Sequence, residues 1–153
     1  MANYTAEVIW QRGDQNFLDH RYSRKHLVRF DGGVAFAGSS SPHVVPLPMS
    51  DPLAADPEEM FVAALSSCHM LWFLHVAVDG GFEAASYEDQ AVGEMTKNEQ
   101  GKLWMTRVTL HPHIEWRGER HPTASEVEHL HRQAHEECFI ANSIKTEVTI
   151  SKP

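Results

Sequence analysis

The longest apolar run of the chain lies between residues 56 and 79, and its pattern predicts one long helix. The run opens with Asp56-Pro57-Glu58-Glu59, where Asp suits the N-cap, Pro the first helical position and Glu59 the third, as in a capping box. Gly80-Gly81 is expected to end the helix just after Val78, which gives a rod on the order of 30 Å long. Because apolar residues fall on nearly every face, we expect the helix to be covered on all sides, as in a dimer that packs two of them together.

The length of this run also raises the possibility of a membrane span. Two serines and two histidines interrupt it, and acidic residues flank it, so a helix buried in a protein core is the better interpretation. The N-terminus has no apolar segment followed by a small-residue cleavage site, so we expect no signal peptide and a cytoplasmic location. In that reducing compartment, two cysteines are expected to be free, catalytic or metal-bound rather than a permanent disulfide.

The other periodic segments predict a single α+β domain spanning residues 1–153. An Asp31-Gly32-Gly33 turn interrupts the strand-like N-terminal pattern, and a loop rich in Ser and Pro follows at residues 38–52. Further along, alternating residues predict a long antiparallel strand pair with its turn at residues 98–101. The predicted strands are 3–11, 26–36, 85–96, 102–116 and 145–151, and the second predicted helix is 122–138.

Charge and histidine content limit the classes of partner. The formal net charge is −8 and no cluster of Lys and Arg resembles a phosphate-binding footprint, which argues against nucleic acid or an anionic membrane surface as the main partner. Among the 11 histidines, His131 and His135 share one helical face with Cys138, at i, i+4 and i+7, and could offer three ligands to zinc. The paired spacing typical of zinc sites is absent, so a solvated helix whose histidines face water is the alternative, and both remain open.

Cys68 lies near the middle of the long helix, and its environment decides its chemistry. It is about three turns from the helix start, so the helix dipole cannot lower its pKa. It is therefore either an inert buried thiol or a reactive one that needs a cation from elsewhere in the fold. His69 is about 100° around the helix and is no obvious partner. An arginine is the better cation, and Arg21 and Arg24 are the candidates.

The segment "DPEEMFVAALSSC" (56–68), followed at residue 138 by the second cysteine, resembles the OsmC/Ohr family of thiol peroxidases. The C-terminal "HLHRQAHEECFIANSIKTEVTI" is similar to the family's segment with its second cysteine, short turn and closing strand. The segments "CHMLWFLH" and "CFIANS" resemble those of an OsmC-like subgroup. This resemblance implies an α+β OsmC-like fold in which antiparallel sheets pack on a long central cysteine-bearing helix. It also implies an intertwined homodimer to which the strands in residues 1–52 contribute.

The same resemblance implies a function, the thiol-dependent reduction of organic hydroperoxides. Carried over residue by residue, Cys68 is the peroxidatic thiolate, Cys138 the resolving cysteine and Glu58 the carboxylate that holds an activating arginine. Arg24 is the preferred arginine and Arg21 the second choice. No cofactor or metal is implied, and the reductant is an external dithiol, with a lipoyl-type group as one possibility.

Two positions differ from the best-known members of that family. Phe139 follows the second cysteine where those members have proline, and His69 is not typical after the first cysteine. The alternative function is therefore a protein of this fold that binds a metal or a small ligand and has little peroxidase activity.

Overall fold

Two α-helices, eight strands and one short 3-10 helix make up the described part of the computed structural model, residues 1–151. The mixture of helices with mostly antiparallel sheets confirms the predicted α+β class. Contacts along the chain divide it into two units, one ending at Met60 and one beginning at Phe61.

The first unit is built on a three-stranded antiparallel sheet in the order β1-β2-β3. The strands are β1 (Ala6–Ile9), β2 (His26–Phe30) and β3 (Ala35–Gly38). At the predicted turn, Gly33 has a φ of +88° and its N–H donates to the carbonyl of Phe30 at 3.0 Å. The hairpin predicted from Asp31-Gly32-Gly33 is thus confirmed, because a glycine adopts this φ without strain.

Helix α1 (Pro57–Asp79) begins and ends where the sequence predicts. The N–H of Glu59 donates to Oδ1 of Asp56 at 2.8 Å, and Oε2 of Glu59 accepts the N–H of Asp56 at 3.1 Å, which completes the predicted capping box. At the other end the N–H of Gly81, with a φ of +73°, donates to the carbonyl of Val78. These contacts satisfy backbone groups that a helix end leaves without partners.

One stripe of α1 faces the protein interior. The buried residues recur at every fourth position and are Leu65, His69, Phe73 and Ala77. Leu71 and Val78, on other faces, are 61% and 71% exposed. Within residues 1–151, α1 is the one helix that is long and apolar enough to cross a membrane by length and composition, properties that a core helix shares.

The second unit contains two small sheets. Strand β4 (Glu83–Asp89) pairs with β7 (Pro112–Arg117), while β6 (Leu103–Leu110) lies between antiparallel β5 (Val92–Lys97) and parallel β8 (Glu147–Ile150). The sequence predicted one continuous strand pair, whereas the structure divides it into two ladders. The cause lies at the break between them. At the break, the carboxylate of Asp89 accepts the N–H of His111 at 2.6 Å, and Pro112 has no N–H to donate. The predicted turn at residues 98–101 is confirmed, since the N–H of Asn98 donates to the carbonyl of Lys102.

Helix α2 (Ala124–Glu137) starts two residues later than predicted, because Thr123 is its N-cap. Thr123 Oγ1 accepts the N–H of Glu126, and the Glu126 carboxylate accepts the N–H of Thr123, in a second capping box. The helix ends at its C-cap, Cys138, and a 3-10 turn (Ala141–Ser143) leads to β8. Its predicted apolar face is confirmed, with Leu130, Ala134 and Cys138 buried.

Two clusters form the core of this second unit, one at each end of the buried stripe of α1. The first contains Phe73, Ala77, Phe82, Leu130 and Ala134. The second contains Leu65, Val108, Leu110 and Cys138. The second cluster places the C-terminal end of α2 against the middle of α1, where the first cysteine lies.

Candidate active site

The two cysteines lie side by side, although 69 residues separate them in the sequence. Cys68 projects from the middle of α1, and Cys138 stands at the C-cap of α2. Both are free thiols, and Cys68 packs against the core cluster that contains Cys138, close enough to influence the ionisation of that thiol. Cys138 is fully buried in the core cluster with Leu65, whereas Cys68 at the edge of that cluster is half-buried. One thiol is therefore open to a reactant and the other lies behind it.

Cys68 opens onto a small apolar pocket. The pocket has a volume of about 310 Å³ and is lined by Cys68, Leu71, Trp72, His75 and Phe139. The ring of Trp72 meets the ring of Phe139 edge-on, with centroids 5.4 Å apart and an angle of 89° between the planes. Phe139, which differs from the expected proline, thus forms a wall of the pocket. A cavity of this size and lining fits a small organic molecule better than an ion.

Burial raises the pKa of the Cys138 thiol to about 11, and the neighbouring Cys68 side chain acts in the same direction. The N–H of Ala141 donates to the sulfur of Cys138 at 3.4 Å, which opposes the rise. Cys138 is therefore a neutral thiol at neutral pH.

The predicted arginine and glutamate lie in the first unit. The guanidinium of Arg24 donates to the carbonyls of His20, at 2.7 Å, and Tyr22, and it lies over the Tyr22 ring at 3.9 Å from the centroid. Glu58 is half-buried in the first turn of α1. Within residues 1–151, neither Arg24 nor Glu58 takes part in an ion pair, so the structure does not bring these two residues together. The side chain of Arg21 is exposed.

A pair of buried histidines joins the two helices of the second unit. Nε2 of His69 lies 3.0 Å from Nδ1 of His131, and the rings are nearly parallel with an interplanar angle of 12°. Their exposed fractions are 1% and 7%. The pKa of each ring is lowered to about 4, mainly by burial. Positive charge on His131 and His135 also lowers the pKa of His69, whereas the negative charge of Asp89 opposes the lowering of the pKa of His131. Both rings are neutral at physiological pH.

Burial of His131 corrects the interpretation of α2 as a helix whose histidines all face water. His129 and His135 are exposed, as that interpretation expects, but His131 is not. The sequence held a signal for this, because position 131 falls between Val127 and Ala134 on the predicted apolar face. The pairing of His69 with His131 had no sequence signal, since it depends on how the two helices pack.

The zinc alternative required His131, His135 and Cys138 to point at one ion. Instead Nδ1 of His131 faces His69, and the thiol of Cys138 faces Cys68. Residues 1–151 contain no group of three or more His, Cys, Asp or Glu side chains that could hold a metal ion. The shared helical face of the three residues therefore does not become a ligand set.

Comparisons with known proteins show which family and which solved structures this chain resembles. A family model described as OsmC-like protein matches residues 50–152. The structure of an OsmC-like protein of unknown function from Vibrio cholerae is similar at 48% identity and a TM-score of 0.95, and the match covers 99% of each chain. Among the curated proteins compared, no sequence matches this chain.

More distant structures share the fold. The match to an organic hydroperoxide resistance protein from Elizabethkingia anophelis has 19% identity and a TM-score of 0.72, covering 100% of this chain and 98% of the other. The match to one from Bacillus subtilis has 18% identity and a TM-score of 0.70, covering 98% of this chain and 97% of the other. At these identities the likeness establishes the fold alone.

Proposed function

This chain belongs to the OsmC-like protein family, and we propose that it is a thiol-dependent peroxidase that reduces organic hydroperoxides to alcohols. The observation that carries the proposal is the arrangement of the thiols: Cys68 opens to an apolar pocket and packs against the core cluster that contains the buried Cys138. Proteins of the same fold that are named organic hydroperoxide resistance proteins lend it support.

In the first chemical step, the Cys68 thiolate attacks the distal oxygen of the hydroperoxide. The O–O bond breaks, an S–O bond forms, and the leaving alkoxide takes up a proton to become the alcohol. Cys68 is then a sulfenic acid, oxidised by two electrons. An apolar pocket helps this step because it desolvates the attacking sulfur and accommodates the alkyl group of the peroxide.

In the second step, the sulfur of Cys138 attacks the sulfur of the Cys68 sulfenic acid. A disulfide forms, and the hydroxyl leaves as water with the proton of the Cys138 thiol. The packing of Cys68 against the cluster of Cys138 supports this step, because a disulfide can form only between cysteines that the fold holds close together. An external dithiol then reduces the disulfide by thiol–disulfide exchange, which returns both thiols.

The order of the two cysteines follows from their different burial. Cys138 has a raised pKa and no exposed surface, so it is a poor nucleophile towards a peroxide in solution. Cys68 borders the pocket and is the thiol that a substrate reaches first. The proposal therefore assigns Cys68 as peroxidatic and Cys138 as resolving.

The proposal keeps Arg24 as the cation that stabilises the Cys68 thiolate, with Glu58 as the carboxylate that orients it. Its support is chemical, since a thiolate in an apolar pocket needs a fixed positive charge and the helix dipole does not act at mid-helix. Nη1 of Arg24 donates to the carbonyls of His20 and Tyr22, and the proposal uses the further N–H donors that a guanidinium has on Nη2 and Nε.

We also propose that the protein is a homodimer that packs α1 against α1. Support comes from the exposed apolar residues of this helix, Leu71 and Val78, because covering them removes apolar surface from water. Sedimentation equilibrium measures this directly, and a mass of one chain at micromolar concentration would contradict the dimer.

The peroxidase test follows the consumption of cumene hydroperoxide with dithiothreitol as reductant. We expect turnover by the wild type and none above background by Cys68→Ser. Without dithiothreitol, Cys138→Ser is expected to consume one equivalent of peroxide and to stop at a sulfenic acid, which a dimedone adduct reveals. The pocket predicts faster reaction with cumene hydroperoxide than with hydrogen peroxide. Equal rates for wild type and Cys68→Ser would exclude the proposed function.

The role of Arg24 is tested by comparing Arg24→Leu with Arg21→Leu, a matched change three residues earlier. The expected result is a fall of 10-fold or more in the rate of Cys68 alkylation at pH 7 for Arg24→Leu only, because about 1.4 kcal/mol of thiolate stabilisation is one pKa unit. Equal rates in the two variants would rule out Arg24 as the activating cation.

A further inference from the structure

A second pocket is lined in part by His131 of the histidine pair. It has a volume of about 580 Å³, within the range typical of small-molecule sites. Its walls come from β7, α2 and β8 and are largely apolar, with Ile114, Trp116, Val127, Val148 and Ile150 among the lining side chains. None of these residues lines the Cys68 pocket, and the chemistry proposed for the two thiols does not use this second pocket.

His131 is the polar group of this pocket that the fold fixes most firmly. It lines the cavity while its side chain is 93% buried, and its Nδ1 is occupied by Nε2 of His69. The nitrogen that remains for another molecule is therefore Nε2. A ring held at one nitrogen by a buried partner presents its other nitrogen in a fixed direction.

The tautomer follows from the unpaired atom of His69. Nδ1 of His69 is buried and has no hydrogen-bond partner. A buried N–H without an acceptor is rarer than an under-satisfied acceptor, so the proton of His69 belongs on Nε2, which then donates to Nδ1 of His131. His131 consequently carries its own proton on Nε2 and offers a hydrogen-bond donor to an oxygen in the pocket.

The charge balance of the pocket favours an uncharged ligand. Arg132 and Glu128 both line it, so their formal charges offset each other. The ring of His131 is neutral at physiological pH and cannot compensate an ionic group. Bringing an ion into a largely apolar cavity without a compensating charge is costly.

From these observations we propose that the pocket between β7, α2 and β8 is a second binding site, for an uncharged organic molecule with an aromatic or branched apolar body and one oxygen bound to Nε2 of His131. The apolar body packs against Trp116, Ile114 and the valines of the wall. This inference does not depend on the proposed peroxidase activity, because it involves neither cysteine.

The experiment titrates the reduced protein with three probes of similar size: 2-phenyl-2-propanol, benzenesulfonate and trimethylphenylammonium. Methyl chemical shifts locate binding, since Ile114, Val127, Val148 and Ile150 report on this pocket and Leu71 reports on the Cys68 pocket. We expect the alcohol to shift the first group with a Kd on the order of 1 mM, as for a fragment of this size. The two ions are expected to bind at least 10-fold more weakly.

Two variants test the residues of the site. Ala124→Trp, at an exposed position that lines the pocket, fills the cavity and is expected to abolish the shifts while leaving the circular dichroism spectrum unchanged. His131→Phe removes the donor and is expected to weaken binding of the alcohol about fivefold, the value of one net hydrogen bond. The matched control is His135→Phe, an exposed histidine of the same pocket, which should change affinity less than twofold.

Three outcomes would overturn the inference. The first is a response of Leu71 alone, which places the alcohol only in the Cys68 pocket. The second is an unchanged titration in Ala124→Trp, and the third is tighter binding of either ion than of the alcohol. Since the same measurements apply to Cys68→Ser, loss of peroxidase activity leaves this test intact.

Discussion

Replacing the buried histidine pair with leucines is expected to remove a large part of the acid sensitivity of the fold. In the wild type, burial holds the pKa of His69 and His131 at about 4, against 6.5 for an ordinary histidine. Between pH 6.5 and 4 the unfolded chain therefore binds protons that the folded chain does not. The contribution of the two neutral rings to the free energy of unfolding is fully present above pH 6.5, and it is lost as the pH falls towards 4.

The size of this acid sensitivity follows from the pKa shifts of the two histidines. A shift from 6.5 to about 4 corresponds to about 3 kcal/mol for one histidine, at roughly 1.4 kcal/mol per pKa unit. For both rings the upper limit is about 7 kcal/mol, which is comparable to the whole stability of a typical domain. Within the window the slope of unfolding free energy against pH is at most about 3 kcal/mol per unit.

The assay measures urea unfolding at pH 7.5, 6.5, 5.5 and 4.5 for the wild type and His69→Leu/His131→Leu, at one protein concentration. Replacing both partners with apolar side chains of similar size avoids leaving one buried nitrogen unpaired. Asp89 and His135, whose charges act on the pair, remain in both proteins, so the difference in slope isolates the two rings. His121→Leu/His129→Leu, which changes two exposed histidines, is the matched control. Parallel loss of stability in the wild type and the buried-pair variant would refute the reasoning.

Three further predictions concern the thiols, the pocket and the helix cap. Iodoacetamide at pH 8 should modify Cys68 first, because the pKa of Cys138 is raised to about 11, and faster labelling of Cys138 in peptide mass mapping would contradict the assignment. Phe139→Ala should raise the KM for cumene hydroperoxide several-fold, because it removes a wall of the Cys68 pocket, and an unchanged KM would exclude that role. Asp56→Ala should lower the free energy of unfolding by about 1 kcal/mol through loss of the cap, whereas Asp79→Ala at the opposite end should not destabilise. Thermal unfolding compares these two variants, and equal losses would argue against the cap.

Features that depend on neighbouring residues could be predicted from the sequence. The capping box at Asp56, the stop at Gly80-Gly81 and the turns at residues 31–33 and 98–101 each involve groups only a few positions apart. Local backbone conformation and short-range hydrogen bonds determine such features, so the identity of a few residues is enough. The family resemblance came from the same local pattern around Cys68.

The strand ladders and the histidine pair depend on contacts distant in sequence. The break between β6 and β7 arises because the carboxylate of Asp89 binds the N–H of His111, 22 residues away. The pairing of His69 with His131 spans 62 residues. The periodicity of one helix or strand does not specify which residues of another element its side chains will contact. These contacts could therefore not be predicted from the sequence.

Cys68 and His69 are adjacent in α1 but lie in two different environments. Residues at every fourth position from Leu65 to Ala77 form the buried stripe of α1, and His69 belongs to it. Cys68 lies about 100° away from His69 around the helix and, with Leu71, Trp72 and His75, lines the outer pocket. The thiol thus borders a pocket, while the imidazole is directed to His131 on α2. Because adjacent residues of one helix face different surroundings, a change at His69 is expected to act on the packing of α1 with α2, whereas a change at Cys68 is expected to act on the proposed redox chemistry.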